Sequence, residues 1–241
     1  MDDQVERKPF VLAPPAAPVE RHGQVDLHLP TGDGPHPVVV IVHGAPLPPG
    51  APDPRDWLLY RGYGALLAEQ GLVAAVVSYR VTDLAGLPAT ADEIAGLVEA
   101  VRADPRVDAQ RVVLWFFSGG CLFSADWLRA APAWVRGIAL TYPLLVPLPG
   151  WEVPPRFLPV DALGTGSTTP VVLTRAGRDK LPGLLAGIAT FLDTAARTGR
   201  PVRLVEVPDG QHAFDILDHT AQSRDAVRAA RDAVVDLIRA D

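Results

Sequence analysis

The sequence predicts an α/β fold, in which helices cover both faces of a mostly parallel central sheet of about eight strands. Short runs rich in valine and isoleucine recur along the 241-residue chain, and segments with helical periodicity separate them. Most of these runs are apolar throughout rather than at alternate positions, which is typical of strands buried on both faces of a parallel sheet. Helices between such strands form right-handed crossovers.

The apolar runs predict the strands in chain order. Five runs are continuously apolar, namely HPVVVIVHG, GLVAAVVSYR, RVVLWFFSGG, VRGIALTYP and TPVVLTRAG. Two others, GQVDLHLP and PVRLVEVPDG, alternate more regularly, which places them nearer an edge or an end of the sheet. The N-terminal segment PFVLAP is a candidate for one further short strand.

Four segments have the pattern of helices. The clearest is TADEIAGLVEAVRAD, in which Thr90 and Glu93 form a capping box that predicts the helix start. Apolar residues at helical spacing then give this segment one apolar face. YGALLAEQG ends at Gly71 and LPGLLAGIATFLDTAARTG ends before Gly199, both plausible stops. The fourth helix is predicted at the C-terminus.

The chain is predicted to contain one domain with two irregular additions. Residues 1–23 form a proline-rich N-terminal extension, and residues 24–241 form a single α/β domain. Within that domain, about residues 144–170 lack a strong periodic pattern. Because a long irregular segment in a compact domain is usually functional, we expect a small lid or the wall of a pocket there.

Composition and charge argue against several classes of function. A formal net charge of −6 disfavours nucleic acid or an anionic membrane as the main partner. The charged N-terminus does not resemble a secretory signal, and no apolar run reaches the roughly 18 residues of a membrane span. The single cysteine, Cys121, excludes an intrachain disulfide. These features predict a cytoplasmic protein, and they give no indication of its oligomeric state.

Reactive side chains follow several of the predicted strands. His43 follows VVVIV, Ser118 follows VVLWFF, Asp179 follows VVLTRAG, and His212 follows RLVEVPDG. Because ligands bind at the carboxyl ends of strands in an open α/β sheet, these residues are expected at one edge. A serine hydroxyl becomes an effective nucleophile when an imidazole takes its proton, and a carboxylate holds that imidazole in one tautomer.

Two glycines follow the serine, and their position predicts a tight strand-to-helix turn. Gly119 and Gly120 leave the backbone room to turn and to expose Ser118 at the sheet edge. The amide of Gly119 is then expected in an oxyanion hole at the start of the next helix, where the helix dipole favours negative charge. A second donor is expected from Gly44 or Ala45, in the loop after VVVIV.

At these motifs the sequence resembles the α/β-hydrolases, most closely their dienelactone hydrolase-like and esterase/lipase-like branches. The matching segments are HGAP at 43–46, SYRV at 78–81, FFSGGC at 116–121, GRDK at 177–180 and DGQHAFD at 209–215. The resemblance covers the chain from about residue 24 to its end. The resemblance implies that Ser118 is the nucleophile, His212 the base and Asp179 the acid. It also implies that His43 orients the oxyanion loop.

The sequence departs from the family pattern at one position. The family's nucleophile elbow reads G-x-S-x-G, and Phe116 stands where the first glycine is expected. That glycine lets the helix pack close to the strand. A phenylalanine there requires extra space, which leaves the geometry of the elbow open.

Simpler interpretations exist for the same residues. Ser118 alone is equally consistent with a helix N-cap, and Asp209 and Asp215 compete with Asp179 because both lie close to His212 in sequence. The presence of all three triad members in the family's order favours the catalytic interpretation. Cys121 is a rival nucleophile, but the bulky Phe123 two residues later disfavours an elbow there, so packing is the better interpretation.

The predicted function is cleavage of a small or medium, fairly apolar carboxylic ester through an acyl-enzyme. No metal-ligand spacing or nucleotide motif is present, so neither a metal nor a cofactor is expected. Six aromatic residues near sheet-edge loops are pocket candidates, the alternative being core or lid packing: Trp57, Tyr60, Phe117, Tyr142, Trp151 and Phe157. The same triad would also serve a thioesterase, an acyltransferase, a peptidase or a non-hydrolytic tailoring enzyme, and a ligand-binding protein on this scaffold is a further alternative.

Overall fold

The computed structural model describes residues 5–47, 50–81 and 83–240, with the backbone alone at residue 5. Residues 1–4 of the predicted extension and residue 241 of the predicted domain lie outside this description. Within the described residues, eight strands form one sheet in the order β1-β2-β4-β3-β5-β6-β7-β8. They are β1 (Val19–His22), β2 (Val25–His28), β3 (His36–Val42), β4 (Val73–Val77), β5 (Val107–Phe117), β6 (Val135–Thr141), β7 (Val171–Ala176) and β8 (Val202–Val207).

Strands β3 to β8 run parallel to one another, whereas β1 and β2 pair antiparallel at one edge. In the described part of the chain, seven α-helices accompany the sheet: α1 (Leu58–Ala68), α2 (Leu87–Arg102), α3 (Ser124–Arg129), α4 (Pro159–Ala162), α5 (Leu184–Thr198), α6 (Phe214–Leu217) and α7 (Ala221–Arg239). The predicted α/β fold is thus confirmed. Among the helices of the described residues, none combines the length and the apolarity that crossing a membrane requires.

Both faces of the sheet are buried, which explains why its central strands are continuously apolar. Successive side chains of a strand point to opposite faces. In β3, Val40 and Val42 join a core cluster with residues of α2, α3 and α5. Ile41 and Val39 join a second cluster with residues of α1 and α7. A strand placed between two helical layers has no solvent face and therefore no polar alternation.

The start of α2 differs from the prediction. The helix begins at Leu87, three residues before the predicted capping box. Leu87 is buried and Pro88 suits the first helical turn, so the added turn covers more of the core. The Thr90 hydroxyl donates to the carbonyl of Gly86, while the Glu93 carboxylate accepts from Gln24. The capping-box prediction is therefore wrong.

The N-terminal segment also differs from the prediction. PFVLAP forms no strand, but Phe10 and Val11 are buried among residues of α1 and α7. The amide of Val11 donates to the carbonyl of Asp215 at 2.8 Å. The sheet itself begins before residue 24, because β1 has the sequence VERH and lies at the exposed edge. A short exposed edge strand needs no apolar side chains, so no apolar run marks it.

The irregular segment at about 144–170 packs closely against the α2 side of the molecule. It contains the short helix α4 between two turns of 3₁₀ helix. Leu145 and Phe157 are buried in the core cluster that contains α2 and α3. Arg156 forms ion pairs with Asp92 and Asp126, which lie on those two helices. The segment therefore forms a wall that is anchored on both helices.

Candidate active site

The carboxyl ends of β5, β7 and β8 bring three predicted side chains into contact. The Ser118 Oγ lies 2.8 Å from Nε2 of His212. On the other side of the ring, Nδ1 of His212 lies 2.5 Å from Oδ2 of Asp179. Because a carboxylate only accepts hydrogen bonds, this pairing places the imidazole proton on Nδ1 and leaves Nε2 free to accept from the serine.

Asp179 has the contacts expected of a carboxylate that holds a histidine in place. Its side chain is fully buried, and its Oδ1 accepts the amide of Leu181 at 2.9 Å. The turn that carries it lies directly against the histidine loop, because a methyl group on Gly177 would come within 2.4 Å of the Pro208 carbonyl oxygen. The lack of a side chain at Gly177 thus allows Asp179 and His212 to meet.

The two rival acids lie elsewhere. Asp209 is exposed and pairs with Arg178. Asp215 is fully buried and accepts hydrogen bonds from the hydroxyls of Tyr63 and Tyr142 at 3.0 and 3.1 Å. Burial raises the pKa of Asp215 from 3.8 to about 6, and the two tyrosine hydrogen bonds oppose that rise. Neither carboxylate has a hydrogen bond to His212 among the described residues.

The backbone at the site is strained in three places. Ser118, Tyr142 and Ala213 are the non-glycine residues with a positive φ in the described part of the chain, at 49°, 36° and 58°. A left-handed conformation is unfavourable for residues with a side chain, and such residues cluster at functional sites. All three line one cleft together with His212. The strain is thus concentrated around the Ser118 hydroxyl.

The two glycines after Ser118 touch the backbone of the loop that follows β3. A methyl group on Gly119 would lie 1.8 Å from the Ala45 carbonyl oxygen, and one on Gly120 would lie 2.1 Å from that of His43. Both contacts are with backbone, which cannot move aside as a side chain can. A residue with a β-carbon is therefore excluded at both positions unless the loop shifts.

His43 holds this loop in shape. Its Nδ1 lies 2.7 Å from the carbonyl oxygen of Gly44, and its Nε2 lies 3.2 Å from the carbonyl oxygen and 3.4 Å from the amide nitrogen of Tyr79. Its ring stacks on that of Tyr79, with 4.0 Å between the ring centroids. Burial lowers the pKa of His43 from 6.5 to about 4, so the ring is neutral at pH 7. The hydroxyl of Tyr79 in turn donates to the carbonyl of His43.

The three predicted oxyanion donors are not equivalent. The amide of Gly44 donates to the hydroxyl of Tyr60 at 2.9 Å, so it is already engaged. Gly119 lies in the first turn of the 3₁₀ segment Ser118–Phe123, where backbone amides have no partner within the helix. The amide of Ala45 has no hydrogen bond among the described residues. Gly119 and Ala45 thus remain as backbone donors.

Cys121 and Phe116 both lie in the core. The thiol of Cys121 is fully buried, and burial raises its pKa well above the usual range. The Phe116 side chain is also fully buried, in the cluster with α2 and α3. The elbow continues as a 3₁₀ segment, and α3 begins only at Ser124. The side chain at position 116 therefore contributes to the core on the α2 face.

Two clefts lie beside the loop that follows β3, and each has a volume of about 170 Å³. The first cleft contains Ser118 and His212, and Trp57, Tyr60 and Tyr142 also line it. The second cleft is lined by Gly119 and mainly by apolar residues, namely Val81, Leu84, Leu87, Leu122, Phe123 and Trp151. Ala45 and Pro46 line both clefts, so the loop after β3, which contains these two residues, separates one cleft from the other.

Two of the predicted pocket aromatics line neither cleft. Phe117 is fully buried behind the first cleft, where its ring packs edge-on against Tyr60 at 5.5 Å. Phe157 is buried in the wall segment and packs against Phe123 at 5.9 Å. Phe117 ends a central strand whose faces are both covered, and Phe157 fills the contact between the wall and the core. Neither position leaves the ring exposed to a ligand.

Tyr79, which packs on His43 and donates to its carbonyl in the loop after β3, had no predicted role. Its position directly after β4, in SYRV, was the available signal, because it lies at the same sheet edge as the triad. The aliphatic residues of the second cleft carried no such signal. Leu84 and Leu87 lie in or before α2, where apolar residues are expected for packing alone.

Comparisons with known proteins agree on the fold. No family model matches the sequence, and no curated protein matches it significantly. Esterase 2 of Thermogutta terrifontis, phosphorylated by paraoxon, is 17% identical with a TM-score of 0.72, over 95% of this chain and 98% of that one. Its butyrate-bound form is 18% identical with a TM-score of 0.68, over 94% and 97%. DphMB1 is 18% identical with a TM-score of 0.76, over 98% and 90%. The chain has the α/β-hydrolase fold.

Proposed function

We propose that this chain with the α/β-hydrolase fold is a serine hydrolase that cleaves a carboxylic ester through an acyl-enzyme. The observation that carries the proposal is the continuous chain of contacts from Ser118 through His212 to Asp179, at 2.8 and 2.5 Å. The strained backbone of Ser118 supports it, as does the likeness to esterase structures. The assignment to the dienelactone hydrolase-like or esterase/lipase-like branch stays a prediction.

In the first half of the reaction, Nε2 of His212 takes the proton of the Ser118 hydroxyl while Oγ attacks the ester carbonyl carbon. Asp179 stabilises the imidazolium that forms and keeps its own negative charge. The carbonyl oxygen becomes an oxyanion, which the amides of Gly119 and Ala45 stabilise. The tetrahedral intermediate then collapses. The alcohol leaves with the proton from Nε2, and Ser118 carries the acyl group.

The second half repeats these steps with water in place of the serine. His212 takes a proton from the water, whose oxygen attacks the acyl carbon and forms a second oxyanion. Collapse releases the carboxylic acid and returns the proton to Ser118. This chemistry needs no metal and no redox cofactor.

The clefts support a small or medium, fairly apolar ester as substrate. Each encloses about 170 Å³, and aromatic and aliphatic side chains form most of both linings. A long acyl or alcohol chain would extend beyond either cleft. We therefore expect turnover of p-nitrophenyl esters to be highest for short acyl chains and to fall as the chain lengthens.

The decisive experiment is labelling with a fluorophosphonate probe, followed by mapping of the adduct. We expect one adduct per chain, on Ser118. Ser118→Ala should abolish labelling and lower ester turnover by about 10⁴-fold or more, because the nucleophile is lost. The matched control is Ser124→Ala, since Ser124 lies six residues further on, is buried and donates to the carbonyl of Cys121. It should keep the label.

An adduct on Cys121, or undiminished turnover in Ser118→Ala, would overturn this mechanism. Capture of the acyl group by an added alcohol, thiol or amine in preference to water would instead favour an acyltransferase. Product analysis in the presence of each acceptor therefore separates hydrolysis from acyl transfer on the same triad.

A further inference from the structure

The four tyrosines of the chain are all buried, and one of them differs from the other three in its hydrogen bonds. Tyr63 and Tyr142 donate to Asp215, and Tyr79 donates to the carbonyl of His43. Tyr60 instead accepts a hydrogen bond, from the amide of Gly44. Among the described residues its own hydroxyl hydrogen has no protein acceptor, although the side chain is almost fully buried.

The hydrogen bond from Gly44 directs the Tyr60 hydroxyl. A phenolic oxygen can accept one hydrogen bond and donate another at the same time. Because the Gly44 amide occupies one acceptor position, the hydroxyl hydrogen must point away from that amide. A buried donor without an acceptor is unfavourable, because it has lost its hydrogen bond to water without gaining another. Its persistence in a closely packed site suggests that it serves a bound group.

The position of Tyr60 brings this donor to the nucleophile. Tyr60, Ser118 and His212 line the same cleft. Gly44, whose amide binds the Tyr60 oxygen, lies beside the nucleophile. A methyl group on Gly44 would lie 3.3 Å from Cβ and 3.8 Å from Oγ of Ser118. The Tyr60 oxygen is thus hydrogen-bonded to a residue that lies next to the attacking serine, in the cleft that Tyr60 and Ser118 share.

We propose that the Tyr60 hydroxyl donates a hydrogen bond to the oxyanion, as a third donor beside the amides of Gly119 and Ala45. The inference rests on the proposed ester hydrolysis and identifies a further catalytic residue for it. The hydroxyl keeps its proton throughout and contributes a dipole only. It replaces the Gly44 amide, which the sequence suggested as a donor and which Tyr60 itself engages.

The surroundings of Tyr60 suit a fixed donor. Its ring packs edge-on against Phe117 at 5.5 Å and lies 6.0 Å from Trp57 and 6.2 Å from His43, between ring centroids. Burial raises the pKa of its hydroxyl further above the usual range, so the proton stays in place at working pH. Donors held in position before the reaction stabilise developing charge most effectively.

The test compares Tyr60→Phe with Tyr63→Phe, in steady-state ester hydrolysis by the full chain. Both changes delete one buried hydroxyl from α1, and Tyr63 lines neither cleft. We expect Tyr60→Phe to lower kcat about 100-fold with KM changed less than threefold, because the oxyanion exists only in the transition state. Tyr63→Phe should leave kcat within threefold. Urea unfolding curves of both variants check that each is folded.

A second measurement separates donation to the oxyanion from a merely structural role. A trifluoromethyl ketone forms an oxyanion when Ser118 attacks it, whereas the corresponding methyl ketone binds largely without doing so. Tyr60→Phe should weaken inhibition by the first about 100-fold and by the second less than threefold. Equal weakening of both would show that Tyr60 only shapes the loop, and would overturn the proposal.

A kcat in Tyr60→Phe within threefold of wild type would also overturn it. If that variant does not fold, Tyr60 can be replaced by 3-fluorotyrosine, which keeps the ring and has a hydroxyl that donates more strongly. The kcat should then rise. An unchanged kcat would contradict the proposal. The two proposals fail differently. Absence of labelling at Ser118 defeats the proposed function, whereas labelling and turnover that do not depend on Tyr60 defeat only this inference.

Discussion

The two sides of the candidate active site are built in different ways. On one side, backbone meets backbone, where Gly119 and Gly120 lie against the carbonyls of Ala45 and His43 with no room for a methyl group. On the other side, side chains meet side chains. There, Tyr60 and Tyr142 line the cleft, with Phe117 behind them.

The backbone side can be recognised from the sequence and the side-chain side cannot, because the two kinds of contact restrict residue type to different degrees. A position at which an added β-carbon would lie 1.8 Å from a backbone oxygen admits only glycine, so this constraint appears in the sequence as one residue type at a fixed spacing. The side-chain side, formed by Tyr60, Tyr142 and Phe117 and called the aromatic wall below, would admit other residues of similar size at each position. Its members are therefore scattered along the chain without a motif, and only their packing shows that they belong together.

The largest effect is expected at the backbone contact, from Gly119→Ala. The added methyl group would overlap the Ala45 carbonyl, so the elbow or the oxyanion loop must shift. We expect the free energy of unfolding to fall by about 4 kcal/mol or more. Fluorophosphonate labelling of the folded fraction should slow at least about 100-fold, because both oxyanion amides move.

The control for this change is Gly96→Ala, in the middle of α2, where a methyl group meets no atom within 4 Å. That variant should gain up to about 1 kcal/mol from helix propensity. If both alanine variants were equally stable and equally reactive, the backbone contact would not be the constraint described above.

The next effect compares neighbouring residues of β5 whose rings lie on opposite faces of the sheet. Phe116→Ala and Phe117→Ala should each lower the free energy of unfolding by about 3 to 5 kcal/mol, because both rings are fully buried. Their effects on kcat should differ. Phe116→Ala should leave kcat within about threefold, whereas Phe117→Ala should lower it at least about tenfold by loosening the packing around Tyr60 and Tyr142.

Urea titration and ester turnover at saturating substrate measure both quantities. A similar loss of kcat in the two variants would mean that the α2 face supports the catalytic geometry as strongly as the aromatic wall does.

The smallest effect concerns Asp215, beneath the aromatic wall, and it appears in the pH dependence of stability. Its carboxyl ionises at about 3.8 when unfolded and at about 6 when folded. Between these values the unfolded chain binds fewer protons, so stability decreases as pH rises. Relative to Asp215→Asn, which cannot ionise, wild type should lose about 3 kcal/mol in total between about pH 3 and about pH 7, and nothing further above that.

Chemical denaturation at a series of pH values measures this difference, in which the contributions of other groups cancel. Asp209→Asn is the control, because Asp209 is exposed and pairs with Arg178 at the surface. Its effect should stay below about 1 kcal/mol at every pH. A flat difference between wild type and Asp215→Asn would contradict the assignment of a raised pKa to this buried carboxyl.

Much of the fold could be predicted because burial on both faces produces a local pattern. The seven apolar runs became β2 to β8, whereas β1 was missed, because an exposed edge strand of four residues buries nothing. The predicted start of α2 was wrong because tertiary packing, rather than a local motif, decides where this helix begins. A capping box is a local signal, and burying Leu87 outweighed it.

The candidate site could be predicted in part. Ser118, Asp179 and His212 each follow a parallel strand, and the topology alone brings strand ends to one edge. The resemblance favoured Asp179 as the acid over Asp215, but only the tertiary structure shows which partner each buried carboxylate faces, His212 for Asp179 and Tyr142 for Asp215.

By itself, the sequence determined the α/β fold, the order of the reactive residues and the two glycines of the elbow. These follow from burial, strand polarity and the absence of a side chain, all of which are local properties. Only the tertiary structure decided that Tyr60 engages the Gly44 amide and that Phe116 belongs to the core. Those outcomes depend on which segments pack against each other in the folded chain, because the packing neighbours and hydrogen-bond partners of these residues lie far away in the sequence.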